Sequence, residues 1–409
     1  MTRILDIVNF NADASCLSAA EWLSILEGGE ESRLCRWLEL FVALNRKVVI
    51  GFVGATIADM AMFNPAAVAL VNAHPDIFEI LLRPFSHDIA LLRSPRGFAL
   101  NFALGRAVVR REFRNVVDFF LPPEFMLTNT QAKVLADLGV AGVFINPARF
   151  TPELQRRIPA FPYLLEVVFG ARLPCLPFQG TLTDRYLDAL HAFESGPWNE
   201  AVLEAGREAL LEAGRDAPIL TWRDGESSFL IPEGIERERA WLEGESSRIE
   251  RGSLRGALEK IQFSTEAATQ PGLARAYPVH SFSAWFKEFR MLGFLGRIAR
   301  IEEQLDALPR DLQVIWLQVI NSDVLSAVEK DSPVVTLKPR PGAGQAPPTR
   351  HTIWRSERGF EGEDCLAILE ALLLAPGDDE YLRTSGQPHL QKLRARIEYI
   401  RRTASPEGP

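Results

Sequence analysis

Two carboxylates are placed to do chemistry. Glu124 closes the run Leu121-Pro122-Pro123-Glu124, and Asp224 lies in Trp222-Arg223-Asp224-Gly225-Glu226. The prolines fix the chain direction before Glu124 and remove two backbone donors. Gly225 permits a tight turn directly after Asp224. A pair of carboxylates suits glycosidic-bond chemistry. One attacks or stabilises an oxocarbenium-like centre, and the other protonates the leaving oxygen. Both residues also have a plain structural use, Glu124 as a helix cap and Asp224 as a turn residue. Spacing alone leaves both uses open.

The elements that must position them are short apolar runs alternating with helical patterns. Strands are expected at residues 4–10, 47–53, 77–82, 116–121, 140–145, 164–169 and 218–222. Helices are expected at 18–26, 32–44, 65–73, 98–113, 183–193 and 200–213, with a further helix that Thr128 or Asn129 caps and Gly139 ends. Such alternation implies a parallel sheet with crossover helices, and seven strands suggest a barrel. Chemistry in such folds gathers at the carboxyl ends of the strands. The polar residues there are Asn11 and Asp13, Asp59, Ser86-His87-Asp88, Glu124, Asn146, and Asp224 with Glu226.

Beyond residue 241 the strand signal ends. Residues 283–308 and 311–329 read as long amphipathic helices, 332–350 as a proline-rich linker, and 363–374 and 388–402 as terminal helices. The expected organisation is a catalytic barrel over 1–265, a helical segment over 266–331 packed on its mouth, the linker 332–350, and a helical segment over 351–409. The basic amphipathic helix at 388–402 is expected to pack on its own domain through Leu390, Leu393, Ile397 and Ile400.

Composition excludes several classes. The chain has 409 residues, 47% hydrophobic and 24% charged, which excludes wholesale disorder. A net charge of −8 disfavours nucleic acid as a partner, since phosphate binding needs a basic face. The four cysteines form no CxxC and suggest neither a zinc site nor a disulfide framework. No phosphate-binding glycine loop occurs, which argues against nucleotide dependence. The segment Met1 to Ser15 lacks a signal-peptide core, and no run reaches the roughly 20 apolar residues of a membrane span. A cytoplasmic location is therefore expected.

Five segments, in order, resemble glycoside hydrolase family 57, which comprises amylases, 4-α-glucanotransferases and branching enzymes acting on α-glucans. Val8-Asn9-Phe10-Asn11-Ala12-Asp13 stands where that family ends a strand in His-Gln-Pro, with Asn11 in place of the histidine. Glu79-Ile80-Leu81-Leu82 leading to Pro84-Phe85-Ser86-His87 is similar to its second segment. Leu121-Pro122-Pro123-Glu124 is similar to its Trp-x-Pro-Glu, with Leu121 in place of tryptophan. Asp224-Gly225-Glu226 matches its Asp-Gly-Glu turn. Gln318 with Asn321-Ser322-Asp323 is similar to a segment on its C-terminal helices.

The resemblance implies an α/β fold, a distorted parallel (β/α)7-type barrel with a C-terminal helical bundle. It implies a retaining enzyme that cleaves or transfers α-glycosidic bonds of an oligosaccharide or polysaccharide. Glu124 would be the nucleophile and Asp224 the acid/base, with no cofactor and no metal. Sugar-binding candidates are Asn11, Asp13, Glu79, His87, Trp222, Glu226 and Asp323. Several have a structural alternative. Asp13 would cap the helix near Ser18, Glu79 would pair with a barrel arginine, His87 would be a buried structural histidine, and Trp222, like Trp285, would be core. Asp323 would face the barrel mouth or solvent. Two other functions stay open. One is a metal-dependent carbohydrate deacetylase using Asp13 and His87, for which a second histidine is missing. The other is a non-catalytic binder of a glycan or partner enzyme.

Overall fold

Runs of β-branched and aromatic residues, too short for core helices, build one sheet. In the computed structural model the strands are β1 (Thr2–Phe10), β2 (Val48–Phe52), β3 (Phe78–Leu82), β4 (Val116–Phe120), β5 (Gly142–Ile145), β6 (Tyr163–Glu166), β7 (Arg172–Pro177), β8 (Ile219–Asp224) and β9 (Ile249–Arg251). The structure describes residues 2–13, 17–145, 163–166, 172–177, 219–229, 233–244, 249–260, 289–323, 365–374 and 386–403. The order across the sheet is β6-β7-β5-β4-β3-β2-β1-β8, with β9 also on β1. Every pairing is parallel except β6 with β7. β2 and β3 are buried along their whole length, as strands covered on both faces must be.

The sheet curls. β4 and β8 are four strand steps apart, which in a flat sheet is roughly 19 Å at ~4.8 Å per step. Yet Phe125, just past β4, and Trp222 in β8 have ring centroids 5.3 Å apart. The seven parallel strands of that order, with β9 paired off it, therefore form a distorted (β/α)7-type barrel whose two distant strands meet at their carboxyl ends, and a helical C-terminal region follows.

Local sequence starts the helices where expected, except that Pro95–Glu112 begins three residues before the expected 98. Ser18 with Glu21 and Thr128 with Gln131 form capping boxes for Ala19–Leu26 and Asn129–Asp137. Ser32 caps Arg33–Ala43. Asn64 and Ser94 cap Pro65–Ala73 and Pro95–Glu112, each with proline in the first turn. Gly139, at φ +72°, ends the helix before β5.

Three readings change. The expected strand at 164–169 is β6, but it runs antiparallel to β7. The residues between Glu166 and Arg172 are too few for the crossover that a parallel pair needs. β7 itself carries Pro174 and Pro177, which weaken its sequence signal. Of the expected helix 311–329, Arg310–Val319 is helical, and Asn321 then makes an isolated bridge with Asp88. Ser322 and Asp323 return to helical conformation, so Asp323 stands at the start of a new helical turn just after that break. A helix over Gly54–Phe63, directly after β2, lacks a capping side chain and had no sequence signal. The expected helices at 183–193 and 200–213, the linker 332–350, Asn146 and Trp285 lie outside the described residues.

The C-terminal helix Pro388–Thr403 packs on the helices Gly54–Phe63 and Arg310–Val319. Leu390, Leu393, Ile397 and Ile400 are buried, as the amphipathic pattern requires. Its polar face carries a second set of buried residues. Lys392 and Arg396 enter the interior and pair with Asp13 and Asp59. Trp22 Nε1 donates to Asp59 at 2.9 Å, and Arg396 also donates to Gln318. The helix is thus bolted to β1, to the helix after β2 and to the helix leading to Asp323. Among the described residues no single helix is long and apolar enough to cross a membrane.

Candidate functional site

Strand pleating sorts the residues at the end of β8. Side chains alternate between faces. Arg223 turns away from the barrel mouth to Glu238 and lies 3.6 Å from Asp6. Asp224 takes the other face, where Asn9 Nδ2, its register partner on β1, donates to Oδ1 at 2.8 Å. Gly225 follows at a backbone conformation open to any residue. What demands glycine is space, because a Cβ would lie 2.6 Å from Phe10 Cδ2 and 2.7 Å from Val8 Cγ1.

Glu124 sits on a strained turn. After Pro122-Pro123 the chain places Glu124 at φ 53°, ψ 15° and Phe125 at φ 50°. Two successive non-glycine residues in the left-handed region cost about 1–2 kcal/mol each, and such strain concentrates where function depends on geometry. Phe125 is buried edge-on against Trp222. That contact ties the turn carrying Glu124 to the strand carrying Asp224. Trp222 is accordingly a wall residue between the two strand ends.

Beneath them lies Arg83, the residue after β3, which is 1% exposed. The carboxylates acting on its charge are Glu226, Asp224 and Glu124. Burial lowers its pKa to about 9, against the pull of those three. Sequence reading passed over Arg83, although a cation closing the apolar run Ile80–Leu82 was a visible signal.

Asn11, His87, Glu226 and Asp323 form one cluster. Asn11 Nδ2 donates to Asp323 Oδ2 at 2.8 Å and lies 2.9 Å from His87 Nδ1. Its Oδ1 accepts the Asp13 N–H at 3.2 Å, which fixes the orientation of the amide. Nδ1 of a neutral His87 is then the acceptor, so its proton sits on Nε2. Asp323 Oδ2 is 3.7 Å from His87 Nδ1, and Ser322 N–H donates to the His87 carbonyl at 2.6 Å. Glu226 accepts the Asn11 N–H at 3.4 Å. Burial, then the charges of Asp224 and Asp323, push the Glu226 carboxyl well above its ordinary value. Glu124, Asp224 and Asp323 are half-buried, while Asn11, Arg83, His87 and Glu226 are buried beside and beneath them.

Two sequence candidates belong elsewhere. Glu79 stands early in β3, away from the strand end. Its carboxylate accepts from Ser253 Oγ at 2.9 Å, from the Arg255 N–H at 3.0 Å and from the Leu254 N–H. It caps the helix Leu254–Leu258 and, among the described residues, pairs with no barrel arginine. Asp13 is enclosed by Lys392 and Arg396, which engage both of its oxygens. Its carboxylate is turned to those two cations, and Ser18 is the cap it was expected to be. Those two cations also make Asp13 a poor metal ligand. Among the described residues no three His, Cys, Asp or Glu side chains converge as a metal site.

The buried Glu226 has a consequence for stability. An unfolded chain ionises it near 4.5, whereas the fold keeps its proton to higher pH. Folding then takes up a proton, so this group's contribution declines as pH rises from about 4.5 through the raised value. Glu226→Gln has no such proton to lose. Melting curves from pH 4 to 8 should show a shallower fall for the variant and a higher Tm than wild type at the alkaline end. Parallel curves for the two proteins would place Glu226 as an ordinary carboxylate.

No protein-family model matches the chain, and no curated protein matches it in sequence. Solved structures do. A GH57 branching enzyme from Thermococcus kodakaraensis matches with a TM-score of 0.65 and 11% identity, over 100% of this chain and 97% of that one. An α-amylase from Thermotoga maritima matches at 0.55 and 9%, over 98% and 97%. A 4-α-glucanotransferase from Thermococcus litoralis matches at 0.55 and 13%, over 99% of this chain, which spans 60% of the glucanotransferase's length. At these identities the likeness is one of fold, and the chain is built on the architecture that these enzymes share.

Proposed function

We propose that this protein is a carbohydrate-active enzyme that cleaves or transfers α-glycosidic bonds of an α-glucan or related oligosaccharide, with retention of configuration. The observation that carries the reading is the Phe125–Trp222 contact, which sets the turn of Glu124 against the strand of Asp224, both half-buried and both acting on the charge of Arg83. The fold shared with a branching enzyme, an amylase and a glucanotransferase supports the substrate class.

In this mechanism Glu124 attacks the anomeric carbon and forms a covalent glycosyl-enzyme. Asp224 gives its proton to the departing glycosidic oxygen. Asp224 then removes a proton from water or from a sugar hydroxyl, which attacks the same carbon and releases Glu124. Glu226 is too deeply buried to reach that oxygen, so the acid is Asp224. Asn9 Nδ2 donates to Asp224 Oδ1 and holds the carboxyl at the strand end. Asp323, half-buried at the rim and held there by Asn11 with His87 behind, offers its carboxylate to sugar hydroxyls. Retention implies carboxyl groups about 5–5.5 Å apart, against about 6.5–9.5 Å for inversion.

Product analysis on maltooligosaccharides and glycogen tests the reading. The expected result is shortened or redistributed chains with the first-formed anomer retained. Inverted product would remove the covalent step. Deacetylation of an acetylated sugar, with no change in any glucan, would replace the reading altogether.

A further inference from the structure

Arg83 is a buried cation that the reaction scheme above does not use. Its Nη1 donates to the Leu121 carbonyl at 3.0 Å, three residues ahead of Glu124. Its Nε and Nη2 are shielded from solvent and find no hydrogen-bond partner among the described residues. A substrate cannot touch atoms that water cannot reach. The charges that act on the guanidinium are those of Glu226, Asp224 and Glu124. β2 is shaped to admit it. At Gly51 a Cβ would lie 2.9 Å from Leu121 Cδ2, 3.1 Å from Arg83 Cδ and 3.3 Å from Arg83 Cγ. Gly51 is also the register partner of Asn9, which pairs with Asp224 on its other side. The arginine stem therefore passes over β2 at the level of the acid.

We propose that Arg83 is a positioning residue for the Glu124–Asp224 pair. It ties the strand end that leads to Glu124 to the barrel interior, and its fixed charge lets two carboxylates share one site. Like charges held together resist ionising and raise each other's proton affinity. A nearby cation favours the ionised form of a carboxylate. Only the planar fork serves the Leu121 carbonyl and faces the carboxylates at once. An ammonium supplies charge alone. The assignment rests on the glycosidase reading of the pair.

The test compares Arg83→Met and Arg83→Lys with wild type on a 4-nitrophenyl maltooligoside, recording kcat/KM against pH. Arg83→Met should move the whole bell-shaped profile upward by about one pH unit, because both members lose a neighbouring cation. Arg83→Lys should keep the profile in place while kcat falls roughly tenfold through the lost clamp. A purely structural arginine would lower the Tm of both variants and leave the profile unmoved, which overturns the proposal. Should Arg83→Met not fold, Gly51→Ala crowds the stem without removing the charge. It should lower kcat at an unshifted profile, and wild-type kcat there overturns the clamp. Labelling of the pair by a water-soluble carbodiimide, read by peptide mass against pH, needs no turnover. A shifted labelling profile in Arg83→Met with no activity in wild type sustains Arg83 and rejects the glycosidase. Active enzyme with unshifted labelling does the reverse.

Discussion

Glu124→Gln is expected to lower turnover of every glycoside the native protein uses by at least about a thousandfold, since an amide cannot form the glycosyl-enzyme. Its fold should be unaffected. Glutamine has nearly the same shape, and the left-handed turn is held by Pro122-Pro123 and by Phe125 against Trp222. Asp224→Asn should behave differently. It should lower kcat/KM by roughly a hundred- to ten-thousandfold on substrates with sugar leaving groups. The loss should shrink for 4-nitrophenyl glycosides, which need little protonation. Steady-state kinetics on both substrate types, with melting curves as the control for folding, separate the two roles. Wild-type rates in Glu124→Gln, or equal losses for both leaving groups in Asp224→Asn, would break the assignment.

The second large effect concerns the C-terminal helix. Arg396→Met should destabilise the protein by about 3–5 kcal/mol, the usual consequence of stranding a buried charge. Arg396 and Lys392 neutralise Asp13 and Asp59, all of them at most 2% exposed. Burial opposes the charge of Arg396, but Asp13 and Asp59 outweigh it and hold the guanidinium more firmly protonated than usual. Without Arg396, Lys392 remains for Asp13, and Asp59 keeps only the Trp22 N–H among its bonds to described residues. The double variant Arg396→Met/Asp59→Asn should recover much of the loss, because it deletes the stranded anion along with its partner. Denaturant unfolding of the single and double variants measures this. A single variant within about 1 kcal/mol of wild type would show that the ion pairs add nothing net. Because Asp13 donates its N–H to Asn11 and Arg396 also reaches Gln318, the single variant should bind substrate less well even where it folds.

Much of the barrel was legible because its signals are local. Buried parallel strands announce themselves as short apolar runs, and helix starts as Ser18 with Glu21, Asn64 with Pro65, Ser94 with Pro95 and Thr128 with Gln131. Each involves residues within four of one another, so chain chemistry settles them before any packing. The strand ends bearing Glu124 and Asp224 were legible for the same reason, through Pro-Pro-Glu and Asp-Gly-Glu. The β6–β7 hairpin was obscured because Pro174 and Pro177 lie inside a strand.

The sequence by itself therefore determined the alternating α/β pattern, the helix caps and which carboxylates stand at strand ends. Only the tertiary structure decided what each carboxylate does. Glu79 caps a helix 175 residues further along the chain, and Asp13 and Asp59 meet cations 379 and 337 residues away. The curl of the sheet brings Phe125 onto Trp222, and with them the turn of Glu124 onto the strand of Asp224. A carboxylate's chemistry follows from its burial and from the N–H groups and cations around it. Those neighbours are delivered by segments hundreds of residues apart, so no local pattern encodes them.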